Sequence, residues 1–416
     1  MVRKRVVITG IGVVSPIGIG KEEYWEALIN GKPGISKITL FDASQFPTQI
    51  AGEVKNFQPE KFMDLKDIKK CGRFTHFAVA AAKLAVKDWG GDIVDEFTPE
   101  NSGIYMGTAT GGMDIFEREH FSLQAKGVKS MSPFGSVGYF PNSPAVEISA
   151  QLKCKTAIFT LSTGCNGGID AIGMAFRDIQ RGKKKIALVG GTDASITPLT
   201  VGSLCAAGVM STNNEFPEKA SRPFDLKRDG GILSEGAAVF ILEDLEYALS
   251  KGRRIYGEIL GYGSNSKADS LYEPDEEGIG FVIAMEEALN DAEVSPEEID
   301  YICAHAPSDP LIDVSEVRAI KKVLKERAYA IPVSSIKSMI GNPLASAGPL
   351  QLAATLMALN KSIIPPTINY EFPDPECDLD VVPNKARKNE VNVVLINVHA
   401  FGGGTSSMVV KKLELK

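Results

Sequence analysis

Residues Thr156-Ala157-Ile158-Phe159-Thr160-Leu161 run directly into Ser162-Thr163-Gly164-Cys165-Asn166-Gly167-Gly168. The first six, β-branched and apolar, predict a strand. The small residues after them predict a tight turn, and the spacing from about Cys165 to Arg181 predicts a helix that begins at once. Working outward, Ile186-Ala187-Leu188-Val189-Gly190-Gly191 is the next buried strand. Upstream, Gly103-Ile104-Tyr105-Met106-Gly107 is a strand that leads into Thr108-Ala109-Thr110-Gly111-Gly112. Val6-Val7-Ile8-Thr9-Gly10-Ile11-Gly12 predicts a first strand ending in a glycine turn, and Phe77 to Trp89 places alanines and apolar residues at helical spacing. The later chain repeats the rhythm. Strands are predicted at Val239 to Leu242, Ile299 to Ala304, Ile331 to Ser335, Val391 to Val398 and Ser407 to Lys411, with helices at Phe281 to Ala292, Asp313 to Lys325 and Ser346 to Leu359. Short apolar strands alternating with longer helices define an α/β fold.

At roughly 100–200 residues per domain, 416 residues suit two or three domains or two fused halves of one large fold. Hydrophobic residues make up 44% and charged residues 23%, which excludes a disordered, collagen-like or coiled-coil chain. The net charge of −7 lacks the basic footprint of general nucleic-acid binding. No apolar run approaches the roughly 18 residues that a membrane span needs. The N-terminus lacks the apolar core of a signal peptide and reads straight into a strand, so a cytoplasmic location is expected. Both halves carry similar strand–helix series, and Glu215 to Gly230, rich in Pro, Arg and Asp, is the expected connection between them.

The six cysteines, Cys71, Cys154, Cys165, Cys205, Cys303 and Cys377, form no Cys-x-x-Cys pair and match neither a zinc site nor a disulfide framework. Cys165 differs by its place. A strand-to-helix turn projects its central side chain outward, and a thiol at a helix N-terminus is expected to have a lowered pKa. That suits a nucleophile taking an acyl group; the alternative is a packed Cys in a glycine-rich turn. Of four histidines, His305 follows a predicted strand, where sites in α/β folds usually form. Lys337-Ser338-Met339-Ile340-Gly341-Asn342-Pro343-Leu344 also follows a strand and leads into a helix. His399-Ala400-Phe401-Gly402-Gly403-Gly404-Thr405 offers open backbone N–H groups to an oxyanion, or is a plain turn between strands.

In order along the chain, these segments resemble the β-ketoacyl-acyl carrier protein synthases of the thiolase-like superfamily. The resemblance spans nearly the whole chain and includes Ile8 to Pro16, Arg222-Pro223-Phe224-Asp225, Arg228-Asp229-Gly230, Ser234-Glu235-Gly236-Ala237, Pro332 to Met339 and Pro373 to Asp380. It implies a thiolase-like fold of two pseudo-duplicated halves, 1–235 and 236–416, in α-β-α-β-α layers. It implies acyl transfer to Cys165, a catalytic His305 and Lys337, and oxyanion donors from the N–H groups of Cys165 and Phe401. The expected partner is an acyl carrier protein. No cofactor is implied, because phosphopantetheine or CoA carries the substrates. The family resemblance also implies a dimer, either homomeric or with a ketosynthase-like sister chain.

The departures cluster at the acyl site. Asn342 replaces the family's second histidine, giving a Cys–His–Asn set. The segment His305-Ala306-Pro307-Ser308-Asp309 lacks the threonines that hold the pantetheine arm. Gln351 replaces a glutamate, Gly231 a phenylalanine, and His399 the first phenylalanine of the gating turn, which makes His399 a candidate accessory residue. Three readings follow: an unusual condensing enzyme in fatty-acid or type II polyketide synthesis, an acyltransferase variant, and a chain-length-factor-like partner. Lys66, Lys69 and Lys70, at i, i+3 and i+4, are expected to share a helical face; the resemblance makes them a docking patch for an acidic carrier, whereas charge alone makes them a solvated surface.

Overall fold

The computed structural model describes residues 3–266, 268 and 275–413. Five strands form a first series: β1 (Val6–Ser15), β2 (Ser102–Gly107), β3 (Ala157–Leu161), β4 (Ile186–Asp193) and β5 (Gly236–Asp244). Five more form a second: β6 (Gly257–Ser266), β7 (Tyr301–Cys303), β8 (Val333–Ser334), β9 (Val393–His399) and β10 (Gly404–Lys411). The spatial order of the first is β3-β2-β4-β5-β1, and that of the second is β8-β7-β9-β10-β6. Each has two parallel pairings followed by two antiparallel ones. Position by position, the second series repeats the first. The two meet where β1 pairs antiparallel with β6, with Val6 opposite Ile259.

The helices repeat too. In the first half they are α1 (Arg73–Trp89), α2 (Ser143–Leu152) and α3 (Gly167–Gln180); in the second they are α4 (Ile279–Ala292), α5 (Ile312–Leu324) and α6 (Ala347–Lys361). One core cluster joins Ile169, Ile172 and Phe176 of α3 and Leu350, Leu352 and Leu356 of α6 to strands of both series. A second packs α1 and α2 on the outer face of the first series, and a third packs α4 and α5 on the outer face of the second. The result is the expected α-β-α-β-α thiolase-like layering. Strands covered on both faces read as continuous apolar runs, as β4 and β5 do.

Three expectations are corrected. The first strand does not end at Gly10 and Gly12 but runs through them to Ser15. A Cβ on Gly12 would lie 1.9 Å from the Ala81 carbonyl oxygen of α1, so the glycine admits the helix rather than a turn. The segment Glu215 to Gly230 does not connect the halves. It is tied across them, with Arg222 N–H donating to Ser308 Oγ at 3.0 Å and Asp225 accepting from the Glu371 and Phe372 N–H groups. The chain passes from one series to the other between Asp244 and Gly257, because β5 lies beyond residue 235 yet pairs with β1 and β4.

Candidate active site

Equivalent strand ends from the two halves meet around one cavity of about 370 Å³. Cys165 arrives from the turn after β3, His305 from the end of β7, Asn342 from the segment after β8, and His399 and Phe401 from the β9–β10 turn; all five line the cavity. Lys337 is not among the lining residues. Its Nζ lies behind the wall, only 1% exposed as a residue, and donates to Gln351 Oε1 at 3.1 Å.

Cys165 sits in a single 3-10 turn, Gly164–Asn166, that winds into α3, and it is 3% exposed. Burial pushes its thiol up to about 11, helped by the buried carboxylate of Asp193. The Phe401 backbone N–H, the Lys337 charge and the Asn342 side chain oppose that rise without cancelling it. The lowered pKa expected from the helix N-terminus is therefore corrected: desolvation is the largest influence on this thiol and raises it.

His305 is 2% exposed, and its Nδ1 accepts the His399 backbone N–H at 3.1 Å. Burial and the nearby Lys337 charge hold its pKa well below the usual histidine range, so the ring is neutral. A neutral ring whose Nδ1 accepts must carry its proton on Nε2. The His399 ring stacks on Phe281, with centroids 5.2 Å apart, and its Nδ1 contacts Thr405 Oγ1 at 3.0 Å. Asn342 is held by its backbone, with its N–H donating to Ile232 O at 2.7 Å and its carbonyl accepting Ser234 N–H at 3.0 Å. Its buried Oδ1 has no hydrogen-bond partner among the described residues.

Two acids that the sequence reading passed over hold this framework. Glu316, on α5, accepts the N–H groups of His305 and Ala306 at 2.9 and 2.8 Å and Asn397 Nδ2 at 3.0 Å. Asp193, at the end of β4, accepts from Thr108, Ala109, Thr110 and Ala345, and burial raises it to about 6. Its position just past Gly190-Gly191 on a buried strand was an available signal. Glu316 gave none, since it lies 11 residues beyond His305 on the next helix. Burial lowers Lys337 to about 8, with Glu316 among the groups that pull it back up. Gln351 donates through Nε2 to the carbonyls of Cys303, Ala304 and Asn397, which fixes its oxygen toward Lys337.

Pro307 and Asp309 both line the cavity. The Asp309 carboxylate accepts the Leu311 and Ile312 N–H groups and so caps the approach to α5. Of the three lysines, Lys66 and Lys69 are exposed and Lys70 is half-buried. Their helix covers only Leu65–Ile68, and Lys66 and Lys70 pair with Asp64 and Asp67 at 3.8 and 2.9 Å. The continuous helical face expected for them is corrected: helix geometry stops before Lys70. No helix among the described residues is long and apolar enough to cross a membrane.

Layering, duplication and a buried cysteine at the strand–helix turn place the chain in the thiolase-like class. Comparison with known proteins narrows this. The model of the β-ketoacyl synthase N-terminal domain matches residues 3–248, and that of the C-terminal domain matches residues 256–371. The chain is 42% identical over 413 residues to the 3-oxoacyl-[acyl-carrier-protein] synthase 2 of Coxiella burnetii, covering 99% of this chain and 100% of that one. It is also 42% identical to the protein of the same name from Synechocystis sp., covering 99% of each. Among solved structures, it superposes on a type II PKS ketosynthase, bound to the hexaketide and in complex with its acyl-carrier protein (TM-score 0.92, 32% identity, 99% and 100% covered). The ishigamide ketosynthase/chain length factor gives a TM-score of 0.93 at 33% identity, with 99% and 100% covered. The chain belongs to the β-ketoacyl synthase family and is a condensing enzyme of the acyltransferase type.

Proposed function

We propose that this enzyme elongates acyl chains carried on an acyl carrier protein through a Cys165–His305–Asn342 site. The observation that carries the reading is the shared cavity, which presents a buried thiol, an imidazole protonated at Nε2 and a carboxamide together. In the first half-reaction the Cys165 sulfur attacks the carrier-bound thioester, and the departing pantetheine thiol takes the proton that Cys165 loses. The N–H groups of Cys165 and Phe401 stabilise the oxyanion. In the second, His305 Nε2–H and the Asn342 amide donate to the malonyl thioester oxygen. The carboxylate leaves as carbon dioxide, and the electron pair it releases forms the carbon–carbon bond to the acyl group. The Cys165 thiolate departs and is protonated from solvent. Lys337 and Glu316 act from behind the wall, and His399 is an accessory donor.

The occupant of the open sheet edge is a second copy of this chain. Among the described residues β3 borders β2 alone, and it exposes Ala157, Ile158 and Phe159. Residues 113–140 add exposed Phe116, Phe121, Phe134 and Phe140. An apolar edge strand of this kind templates pairing. The carrier docks at Lys66, Lys69 and Lys70, and Lys66→Glu with Lys70→Glu is expected to weaken its binding at low salt; unchanged binding would remove that assignment.

The test is to supply acyl- and malonyl-loaded carrier and look for a 3-oxoacyl thioester. Wild-type protein should form it and Cys165→Ala should not. No product with any chain length, despite acylation of Cys165, would favour the acyltransferase reading; no acylation would favour the partner-subunit reading.

A further inference from the structure

Two adjacent glycines on the cavity wall are glycine for different reasons. Gly230 has φ +143°, and a Cβ there would meet backbone atoms of Met210 and Ser211 at 2.6 Å. The fold requires that glycine. Gly231 is not among the positive-φ glycines, and a Cβ there would meet only the carbonyl oxygens of Pro307 and Val209, at 3.6 and 3.7 Å. Those are ordinary contacts. Backbone and packing both admit a Cβ at Gly231, which lines the cavity and leaves the space beyond it to the cavity.

That space adjoins the thioester donors. Gly231 N–H donates to Val209 O at 2.9 Å, and the next residue, Ile232, accepts the Asn342 N–H at 2.7 Å. Across the gap, Pro307 follows His305 by two residues. Val209, Met210, Ile232 and Pro307 line the cavity here together with Asp229 and Asp309, and the apolar four suit an alkyl group.

We propose that Gly231 opens the site to 2-alkyl-malonyl thioesters, so that condensation leaves an alkyl branch between the two carbonyls of the product. This rests on the condensing reading above. The chemistry balances as it does for malonate. The bond from C2 to the carboxylate breaks and carbon dioxide leaves. Its electron pair bonds C2 to the acyl carbon on Cys165, and the released thiolate takes a proton from solvent. No oxidant or further reactant enters.

The experiment gives acylated enzyme either malonyl- or 2-methylmalonyl-loaded carrier and reads carbon dioxide and product mass. Wild-type protein should consume both and form the 2-methyl-3-oxoacyl thioester from the second. One methylene in an apolar pocket discriminates by roughly 10–200-fold. Gly231→Phe should therefore lower the kcat/KM ratio of 2-methylmalonyl to malonyl carrier by at least about tenfold. Gly231→Ala should move the ratio the same way by less. Acylation of Cys165 in each variant shows that it folds. Use of malonyl but not 2-methylmalonyl carrier by the wild type overturns the proposal, as does an equal loss with both substrates in the variants. A loss confined to branched acyl groups on Cys165 would put the opening on the acyl side and also overturns it. Use of neither substrate by the wild type overturns the condensing reading, and the proposal with it.

Discussion

Cys165 is a protonated thiol at neutral pH, because burial outweighs the three groups that favour its thiolate. Thiol reactivity tracks the thiolate fraction, which rises about tenfold per pH unit below the pKa. Alkylation of the Cys165 peptide by iodoacetamide should therefore climb steadily from pH 7 to pH 9.5 without a plateau. A plateau near pH 8 would mean that the helix terminus dominates after all. Asn342 poses the second question at this scale. It supplies a donor where the family pattern has histidine, but it cannot titrate near neutrality. Losing one well-placed oxyanion donor typically costs about 2.7–4 kcal/mol, a factor of about 10²–10³. Asn342→Ala, which removes that donor, should accordingly slow carbon dioxide release from malonyl carrier by a factor of about 10²–10³. Fast release by the wild type that is unaffected at Asn342 but abolished in His399→Ala would move that role to His399.

Among the elements, α5 does more for the site than its place in an outer layer suggests. Its Glu316 satisfies three buried donors, two of them the backbone N–H groups of His305 and Ala306. Each buried donor left unpaired costs about 1–3 kcal/mol. Glu316→Ala should thus destabilise the fold by about 3 kcal/mol or more in urea denaturation. A loss below about 1 kcal/mol would show that water replaces the carboxylate without penalty. This element also marks where sequence reading stops. Cys165 and His305 each follow an apolar strand within a few residues, so strand periodicity brings them to one end of the sheet, whereas Asn342 comes eight residues after β8, beyond the short helix Lys337–Ile340. Glu316 reaches the site only because α5 folds back over β7, a tertiary contact that local pattern does not encode. Gly10 and Gly12 were misread for the same reason. A glycine that admits a helix and a glycine that turns a chain look alike until the packing partner is known.

At the scale of the whole molecule, the duplication was legible in the repeated strand–helix series, but the point of division was not. β5 reads as the opening of the second half in sequence and closes the first by its pairing with β1 and β4. The same sheet leaves β3 as an open apolar edge, and a homodimer through it should sediment at twice 44.6 kDa. Phe159→Lys should shift that species toward monomer, because a charge on an edge strand disfavours pairing. A wild-type protein that is monomeric until a ketosynthase-like sister chain is added would replace the homodimer with a heterodimer.

The central claim is that one sulfur receives the growing chain and then gives it up to a malonyl-derived carbon. Time-resolved intact-protein mass spectrometry tests it directly, with acyl-loaded carrier added first and malonyl-loaded carrier second. The account predicts an acyl adduct on Cys165 after the first addition, absent in Cys165→Ala. It predicts that the adduct disappears after the second addition, together with release of carbon dioxide and appearance of the 3-oxoacyl thioester. An adduct that persists through the second addition, or one that forms equally well in Cys165→Ala, would contradict it.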